Sequence, residues 1–435
     1  MFLRIHAPLN HQSRTLCKIS VLLALAFGTS FVHAQSNGLT LNEALQLSLQ
    51  RSSLTKAANA SVLASRESAA KADQLPDPML KVGIDNLPVT GADRYSTTSD
   101  FMTMRRVGIE QQWVSSDKRV ARSARAQRAV EMEESTYLES VAKVREEAAK
   151  AWVNVLYGQR TLALVSAMEK EAAEDLNAMN AAHRGAKANA SDVMQAQLTL
   201  SQTQDATRKN TQDLRNARLA LSRWTGMPAA TVADETPKLT SHVPGLPVEE
   251  LEKYHPMLLS ARRAVNLADA DSTVASRESN PDWSLEAAYS QRGSQYSNMV
   301  SFGISIPLAV NRAQKQNRDI AEKSALGTKA RMQYEEALRE LQAEIENQSS
   351  TLESLKARVT QLNAQLLPAA SQQVELATAA YRSGAGSLSA VFNAKKMLLE
   401  RRLQIAELER EAALTWAALE YHVVPHDMAS AGEMK

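Results

Sequence analysis

His422 and His426 stand four residues apart, the spacing at which two imidazoles on one helical face can share a metal ion. Pro425 lies between them, and a proline inside a helix removes a backbone hydrogen bond and clashes with the turn before it. The pair therefore reads as solvated tail residues. His183, His242 and His255 are isolated from one another, and the methionines are scattered too widely for a soft-metal relay. Cys17 is the single cysteine, which excludes an intrachain disulfide and a cysteine-based metal cluster. The chain has no G-x-S-x-G, no H-E-x-x-H and no Walker loop, and Gly83 and Gly108 sit alone in candidate strands. No catalytic residue, metal site or cofactor is expected, and the chain does not read as an enzyme.

The elements around these residues are of another kind. Aromatic residues make up only 5% of the 435-residue chain against 44% hydrophobic, a balance that favours long packed helices over a large mixed core. Residues 1–34 read as a secretory leader: Arg4, Arg14 and Lys18 without an acid, an apolar run Ile19 to Phe27, then Val32-His33-Ala34 as a small-residue cleavage site. Cys17 precedes the apolar run, where it cannot serve as a lipidated first residue, so the exported chain is expected to start at Gln35 without a lipid. The remainder is near neutral, which argues against nucleic acid as a partner.

Proline placement sets the organisation. There is no proline between Pro88 and Pro228, and only Pro368 between Pro307 and Pro425. These gaps permit long helices over about 117–182 and 311–381, each roughly 100 Å at 1.5 Å per residue. Shorter helices are expected near 41–73, 189–225, 249–278 and 388–421, the first opened by the capping box Thr40-Leu41-Asn42-Glu43. Leu338, Leu341, Ile345, Leu352, Leu355, Val359, Leu362 and Leu366 keep a 3-4 spacing, as do Val391, Ala394, Leu398, Ile405, Leu408, Ala412 and Leu419. Such seams bury a stripe against a neighbouring helix, and antiparallel hairpins satisfy them economically.

The chain is also an internal duplication. Arg184-Gly185-Ala186 through Ala196 returns 198 residues later as Arg382-Ser383-Gly384 through Ala394. Leu75-Pro76-Asp77-Pro78 pairs with Asn280-Pro281-Asp282-Trp283, and Val107-Gly108-Ile109 with Phe302-Gly303-Ile304. We divide the chain into a first repeat, 35–247, with strands 78–87 and 101–114 and a helical hairpin 117–225, and a second repeat, 248–435, with strands 282–291 and 297–308 and a hairpin 311–421. Tyr95, Phe101, Trp113, Trp283, Tyr289, Tyr296 and Phe302 gather around the four strands, as aromatic girdles do where a barrel meets headgroups. Four strands cannot close a barrel, and open edges cannot sit in lipid. Either the sheet is soluble or several chains each contribute four strands, and three chains would give twelve.

This order of elements resembles the TolC family of outer-membrane channel proteins. The resemblance is carried by Leu39 to Leu45, the leads Pro76 and Pro281, Leu367-Pro368, and Ala380-Tyr381-Arg382-Ser383-Gly384-Ala385-Gly386-Ser387-Leu388 on through Leu399. Within the family it looks most like the outer-membrane component of heavy-metal cation efflux systems. The resemblance implies a homotrimer, a twelve-stranded transmembrane β-barrel on an α-helical barrel of duplicated hairpins, and a periplasmic adaptor protein and inner-membrane resistance-nodulation-division (RND) pump as partners, with outer-membrane lipid around the strands. The implied role is a passive exit duct, for metal cations first, with drugs or secreted protein as other cargo. A soluble periplasmic coiled-coil scaffold is the competing class.

The candidate site residues lie at the two turns. Arg184, Gly185, Ser191, Arg382, Gly384, Leu388 and Ser389 are expected to form the tips that dock the adaptor. Family members carry acids just after the turn, where carboxylates ring the entrance. Here Asp192 matches, while Gln195 and Asn393 replace acids and Lys395 follows, so Asp192, Gln195, Asn393 and Lys395 are the candidate gate. The alternative for Asp192 is a first-turn residue favoured by the helix dipole. Pro368 is expected to kink the second hairpin, where the first has Lys170.

Overall fold

The computed structural model describes residues 38–228 and 230–424, and the leader 1–34 with Cys17, Pro425 and His426 lies outside them. Helices α1 (Leu41–Arg51) and α2 (Ser53–Ala70) lead to strands β1 (Met79–Asp85) and β2 (Met104–Trp113). The 69-residue helix α3 (Ser116–Arg184) then turns into α4 (Ala190–Thr225). The second copy repeats the order with α5 (Val248–Tyr254), α6 (Pro256–Glu278), β3 (Trp283–Gln291), β4 (Met299–Ser305), α7 (Gln316–Gln361), α8 (Leu367–Arg382) and α9 (Leu388–Tyr421). Helices α2 and α4 both lie along α3, and α6 and α9 both lie along α7, so two shorter helices run beside each long one.

Several boundaries differ from the sequence expectation for local reasons. The stretch near 41–73 breaks at Ser52, whose hydroxyl accepts the Thr55 amide and restarts the helix. The stretch near 249–278 breaks at His255–Pro256, since proline suits a first turn and no interior position. Strand β2 starts only at Met104 because the Asp100 carboxylate takes the amides of Met102 and Thr103 into a turn. Residues 307–315 are not helical, and α7 begins at Gln316 rather than near 311. Between α7 and α8 a π-helical turn, Leu362–Leu366, intervenes.

The core sits at mid-height, where all the long helices meet. Ala148, Ala149 and Ala151 let neighbouring helices approach α3 closely, and Trp152, Leu156, Tyr157, Leu221, Leu258 and Leu341 fill the space between them. The Trp152 indole N–H donates to the Leu39 carbonyl at 2.7 Å, and Leu39 bridges in parallel to Val232, tying the start of the described chain to the connector after α4. The expected seam is largely buried, although α9 buries Leu399 rather than Leu398.

The four strands form one antiparallel sheet in the order β1-β2-β3-β4, which leaves β1 and β4 as its edges. The registers Lys81↔Gly108, Gly108↔Ala288 and Ala288↔Ser301 place alternate residues on a common face. One face carries Leu80, Val82, Ile84, Val107, Ile109, Tyr289, Val300, Phe302 and Ile304, all exposed, with Phe302 83% accessible. The other carries Gly83, Gly108, Gly303 and an ion-pair network. In that network Lys81 contacts Glu110 and also Glu286 at 3.1 Å, while Arg106 contacts Glu286 and, at 3.7 Å, Asp85. No helix among the described residues is long and apolar enough to cross a membrane.

His422 corrects the sequence reading: it is partly buried and paired rather than a free tail residue. It ends α9 against α3 with its Nε2 3.2 Å from the Glu146 carboxylate and its ring 5.7 Å from that of His255. The same joint includes the Val424 amide donating to the Tyr254 carbonyl at 3.0 Å. His255 is only 4% exposed, and among the described residues neither of its ring nitrogens has a partner. Burial, and then the neighbouring His422, push His255 down to about 4. His422 is raised, chiefly by its hydrogen bond to Glu146. Burial would raise Glu146, but hydrogen bonds from His422 and Lys150 outweigh it and hold the carboxyl low.

The signs follow from linkage. His255 contributes stability that is complete above its ordinary 6.5 and is lost as pH falls toward about 4. Glu146 likewise loses its contribution as pH falls below its ordinary 4.5. His422 contributes fully below 6.5 and less as pH rises through its raised value. Replacing His255 with Leu should therefore flatten the fall in Tm between pH 6.5 and 4, read by thermal unfolding across that range. An acid limb as steep as that of the unsubstituted protein would show that this imidazole is not the buried neutral group.

Candidate functional site

The two turns farthest from the sheet are structural copies. In the first, the amides of Gly185, Ala186 and Lys187 donate to the carbonyls of Ala181, His183 and Ala182. In the second, the amides of Ser383, Gly384 and Ala385 donate to Ala379, Tyr381 and Ala380, the same bonds 198 positions on. The residue with positive φ is Ala186 at 55° in the first turn and Gly384 at 76° in the second. Glycine occupies that backbone region freely, whereas a side chain strains it. Gly185 therefore is not the residue that needs to be glycine, since its φ is −85°.

Each turn hands over to a capped helix. The Asn189 amide donates to the Asp192 carboxylate at 3.2 Å at the start of α4, and the Ser387 hydroxyl accepts the Ala390 amide at 3.2 Å at the start of α9. His183 Nδ1 donates to the Ala188 carbonyl at 2.9 Å and braces the first turn. Arg184, Gly185, Ser191, Arg382 and Gly384 are exposed at the apex, with Leu388 and Ser389 partly covered.

Behind the tips, α9 of the second hairpin lies against α3 of the first, and a small cavity of about 70 Å³ sits between them and the start of α4. Asp192, Gln195, Ser389, Asn393 and Lys395 all line it, so the four candidate gate residues come together, beside Phe392 and Met168. Two polar contacts cross it: the Ser389 hydroxyl donates to Asp192 at 3.3 Å, and Lys395 Nζ lies 3.5 Å from the Asp175 carboxylate. Asp192 thus joins the helix-capping role to a contact between hairpins. Sequence reasoning missed Asp175, which sits mid-helix in the acidic run from Glu171 through Glu174 with no local mark of a partner 220 residues away. Burial raises its carboxyl, Lys395 opposes that, and Glu171 and Glu174 add to the rise.

Pro368 is remote from this cavity, in the first turn of α8. Proline has no N–H to give the preceding turn, and the π-helical turn Leu362–Leu366 absorbs the mismatch, with the Leu367 amide reaching back to the Leu362 carbonyl. The equivalent Lys170 lies inside uninterrupted α3. Among the described residues no group of three or more His, Cys, Asp or Glu is placed to hold a metal ion. The structure therefore offers two turns, a polar link between hairpins and a helix interrupted by a π-turn.

The Lys395–Asp175 contact is the only ion pair between the two hairpins in this cavity among the described residues. Lys395→Met should raise amide hydrogen exchange across 388–399 several-fold while leaving exchange in the mid-height core around Trp152 unchanged. Equal protection of 388–399 in both proteins would show that the contact does not hold α9 in place.

Comparison with known proteins agrees with this layout. Residues 248–421 match the family described as "Outer membrane efflux protein". The cobalt-zinc-cadmium resistance protein CzcC of Cupriavidus metallidurans is 23% identical over 385 residues, covering 87% of this chain and 89% of its own length. The fold is similar to the crystal structure of CusC at TM-score 0.75 and 16% identity, covering 88% of this chain and 92% of that one. It is also similar to the outer membrane protein VceC of Vibrio cholerae at TM-score 0.73 and 17% identity, over 88% and 95% of the two chains.

Proposed function

We propose that the chain is the exit duct of a tripartite pump for heavy-metal cations, a reading supported by the match of residues 248–421 to the outer membrane efflux protein family and by the likeness of fold along its length. The observation that carries this reading is the sheet. Its exposed apolar face and two open edges end a molecule whose helices run on for about 100 Å. Unpaired strand edges cannot stay in hydrocarbon, so β4 of one chain pairs with β1 of the next until three chains close twelve strands. The apolar face then meets lipid, and the face carrying Lys81, Arg106 and Glu286 lines the lumen. A soluble scaffold would leave Phe302, Val300 and Ile304 in water with nothing covering them.

The helical barrel continues the lumen through the periplasm, and the turns at 184–189 and 382–387 meet the adaptor, which connects the duct to an RND pump. The division into repeats 35–247 and 248–435 supplies six near-equivalent hairpins per trimer. Metal cations are proposed as cargo because of the likeness to CzcC, whose name assigns it cobalt, zinc and cadmium resistance. The hairpin 311–421 is the mobile one, because it alone carries Pro368 and its π-turn. It swings outward to open the entrance, and the contacts from Ser389 to Asp192 and from Lys395 to Asp175 hold it closed.

Two measurements test this. The protein should fractionate with outer membranes and have a trimer mass in mild detergent, and a strain lacking it should lose zinc, cobalt or cadmium resistance. A monomer that needs no detergent would overturn the duct, and loss of drug resistance alone would reassign the cargo. Gly384→Val places a β-branched side chain at a φ of 76° and should abolish resistance while trimers still form. Full resistance in that variant would move the docking site elsewhere.

Pro368→Ala restores the missing backbone donor, so the π-turn loses its cause and the hairpin should straighten. The expected channel assembles normally but spends less time open in planar bilayers. Unchanged open probability would place the flexure in another segment.

A further inference from the structure

Arg105 and Arg106 are consecutive on β2 and point to opposite faces of the sheet. Arg106 is answered by Glu286 and Asp85 on the polar face. Arg105 lies opposite Ile84 and Gln291, on the face that carries Val107, Ile109 and Phe302. It donates to the carbonyl of Arg292 at 3.4 Å, and Arg292 donates to the carbonyl of Phe101 and stacks over Tyr296 at 4.9 Å. Arg105 thus touches the main chain of Arg292, each guanidinium is held by a main-chain carbonyl, and among the described residues the Nε of each is buried without a hydrogen-bond partner. Among the described residues neither forms an ion pair. Asp85 is turned to Arg106, and Asp100 is occupied by the amides of Met102 and Thr103.

The height of this pair decides what could meet it. At the helix end of the sheet, Trp113 lies opposite Trp283, and both are about half exposed on the apolar face. Arg105 stands eight residues up the same strand, roughly 26 Å along it at about 3.3 Å per residue. A barrel tilt of about 40° reduces this to roughly 20 Å, close to the ~25 Å apolar band of a transmembrane barrel. The arginines therefore lie at the far membrane boundary, the outer one in the duct reading on which this inference rests. A positive charge on a lipid-facing strand is tolerated there only if it reaches the headgroups.

We propose that Arg105 and Arg292 form a binding site for the phosphate of an outer-leaflet glycolipid. Two guanidinium groups anchored through main-chain carbonyls and left without an acid suit phosphate oxygens, which accept charge-assisted bonds. Stacking on Tyr296 and the bonds to main-chain carbonyls fix the donors before the lipid arrives, and the apolar strand face below them accommodates acyl chains. The site clasps the loop 86–103 to the turn 292–298, because its contacts run from Phe101 to Arg292 and from Arg105 to Arg292. The Gly293 backbone also packs against Thr98 closely enough to leave no room for a side chain.

The test uses the full chain in maltoside micelles with bisphosphorylated lipid A as the probe. Its dephosphorylated derivative and inorganic phosphate are the comparison arms. Native mass spectrometry should show phosphorylated lipid A bound, with apparent affinity about tenfold or more weaker for the dephosphorylated form, and Tm should rise only with the phosphorylated lipid. Arg105→Gln with Arg292→Gln should abolish that discrimination, whereas Arg105→Lys with Arg292→Lys should keep part of it. Equal binding of both lipid forms by the unsubstituted protein would overturn the proposal, whether or not the variants fold. So would full stabilisation by inorganic phosphate. Failure of the duct reading itself looks different, as a protein soluble without detergent that binds neither lipid.

Discussion

A peptide group in hydrocarbon has no water to bond, and on the duct reading proposed above this single constraint organises the molecule. In water an edge strand is exposed without large cost, because its free N–H and C=O groups are solvated. In a membrane each unsatisfied group costs several kcal/mol, so a sheet that enters lipid must close on itself. The four strands of this chain cannot do so alone. On that reading the sheet's hydrogen bonding requires neighbouring chains, and the alternation of apolar and polar residues separates its two faces. The long helices are held together where alanines on α3 let neighbouring helices approach it closely.

Much of this layout is visible in the order of residues. Proline gaps mark the long helices because one proline is enough to stop a helix. The turns announce themselves by recurrence, since Arg184 to Ala196 and Arg382 to Ala394 share residue types at identical spacing. The strands are recognisable by alternation, yet their ends are not, because the start of β2 is set by the Asp100 turn, which alternation does not encode. The sheet's faces become assignable only with register, as a one-residue slip exchanges them.

The parts that sequence reasoning misplaced depend on contacts far apart along the chain. Asp175 has no local sign of Lys395, and only folding the hairpins side by side brings them within 3.5 Å. His422 looked like part of a solvated tail because Pro425 ends the helix beside it. It is instead drawn into the joint by Glu146, 276 positions earlier. Glycine was a misleading guide in the first turn. The positive φ falls on Ala186, so the duplicate backbone is kept although the residue type is not.

The π-turn gives the two halves different mechanics. Each repeat is a strut, but only the second contains a compliant element, and its position fixes the gearing. From Leu367 to the turn at Arg382 there are 16 residues, a lever arm of roughly 24 Å. A bend of about 15° at the π-turn therefore moves the tip by roughly 6 Å, while α7 below it stays parallel to its neighbours. The first strut is uninterrupted over 69 residues and has no such joint along its length. On the proposed gating, a push at the second tip is taken up at the π-turn before it reaches the sheet.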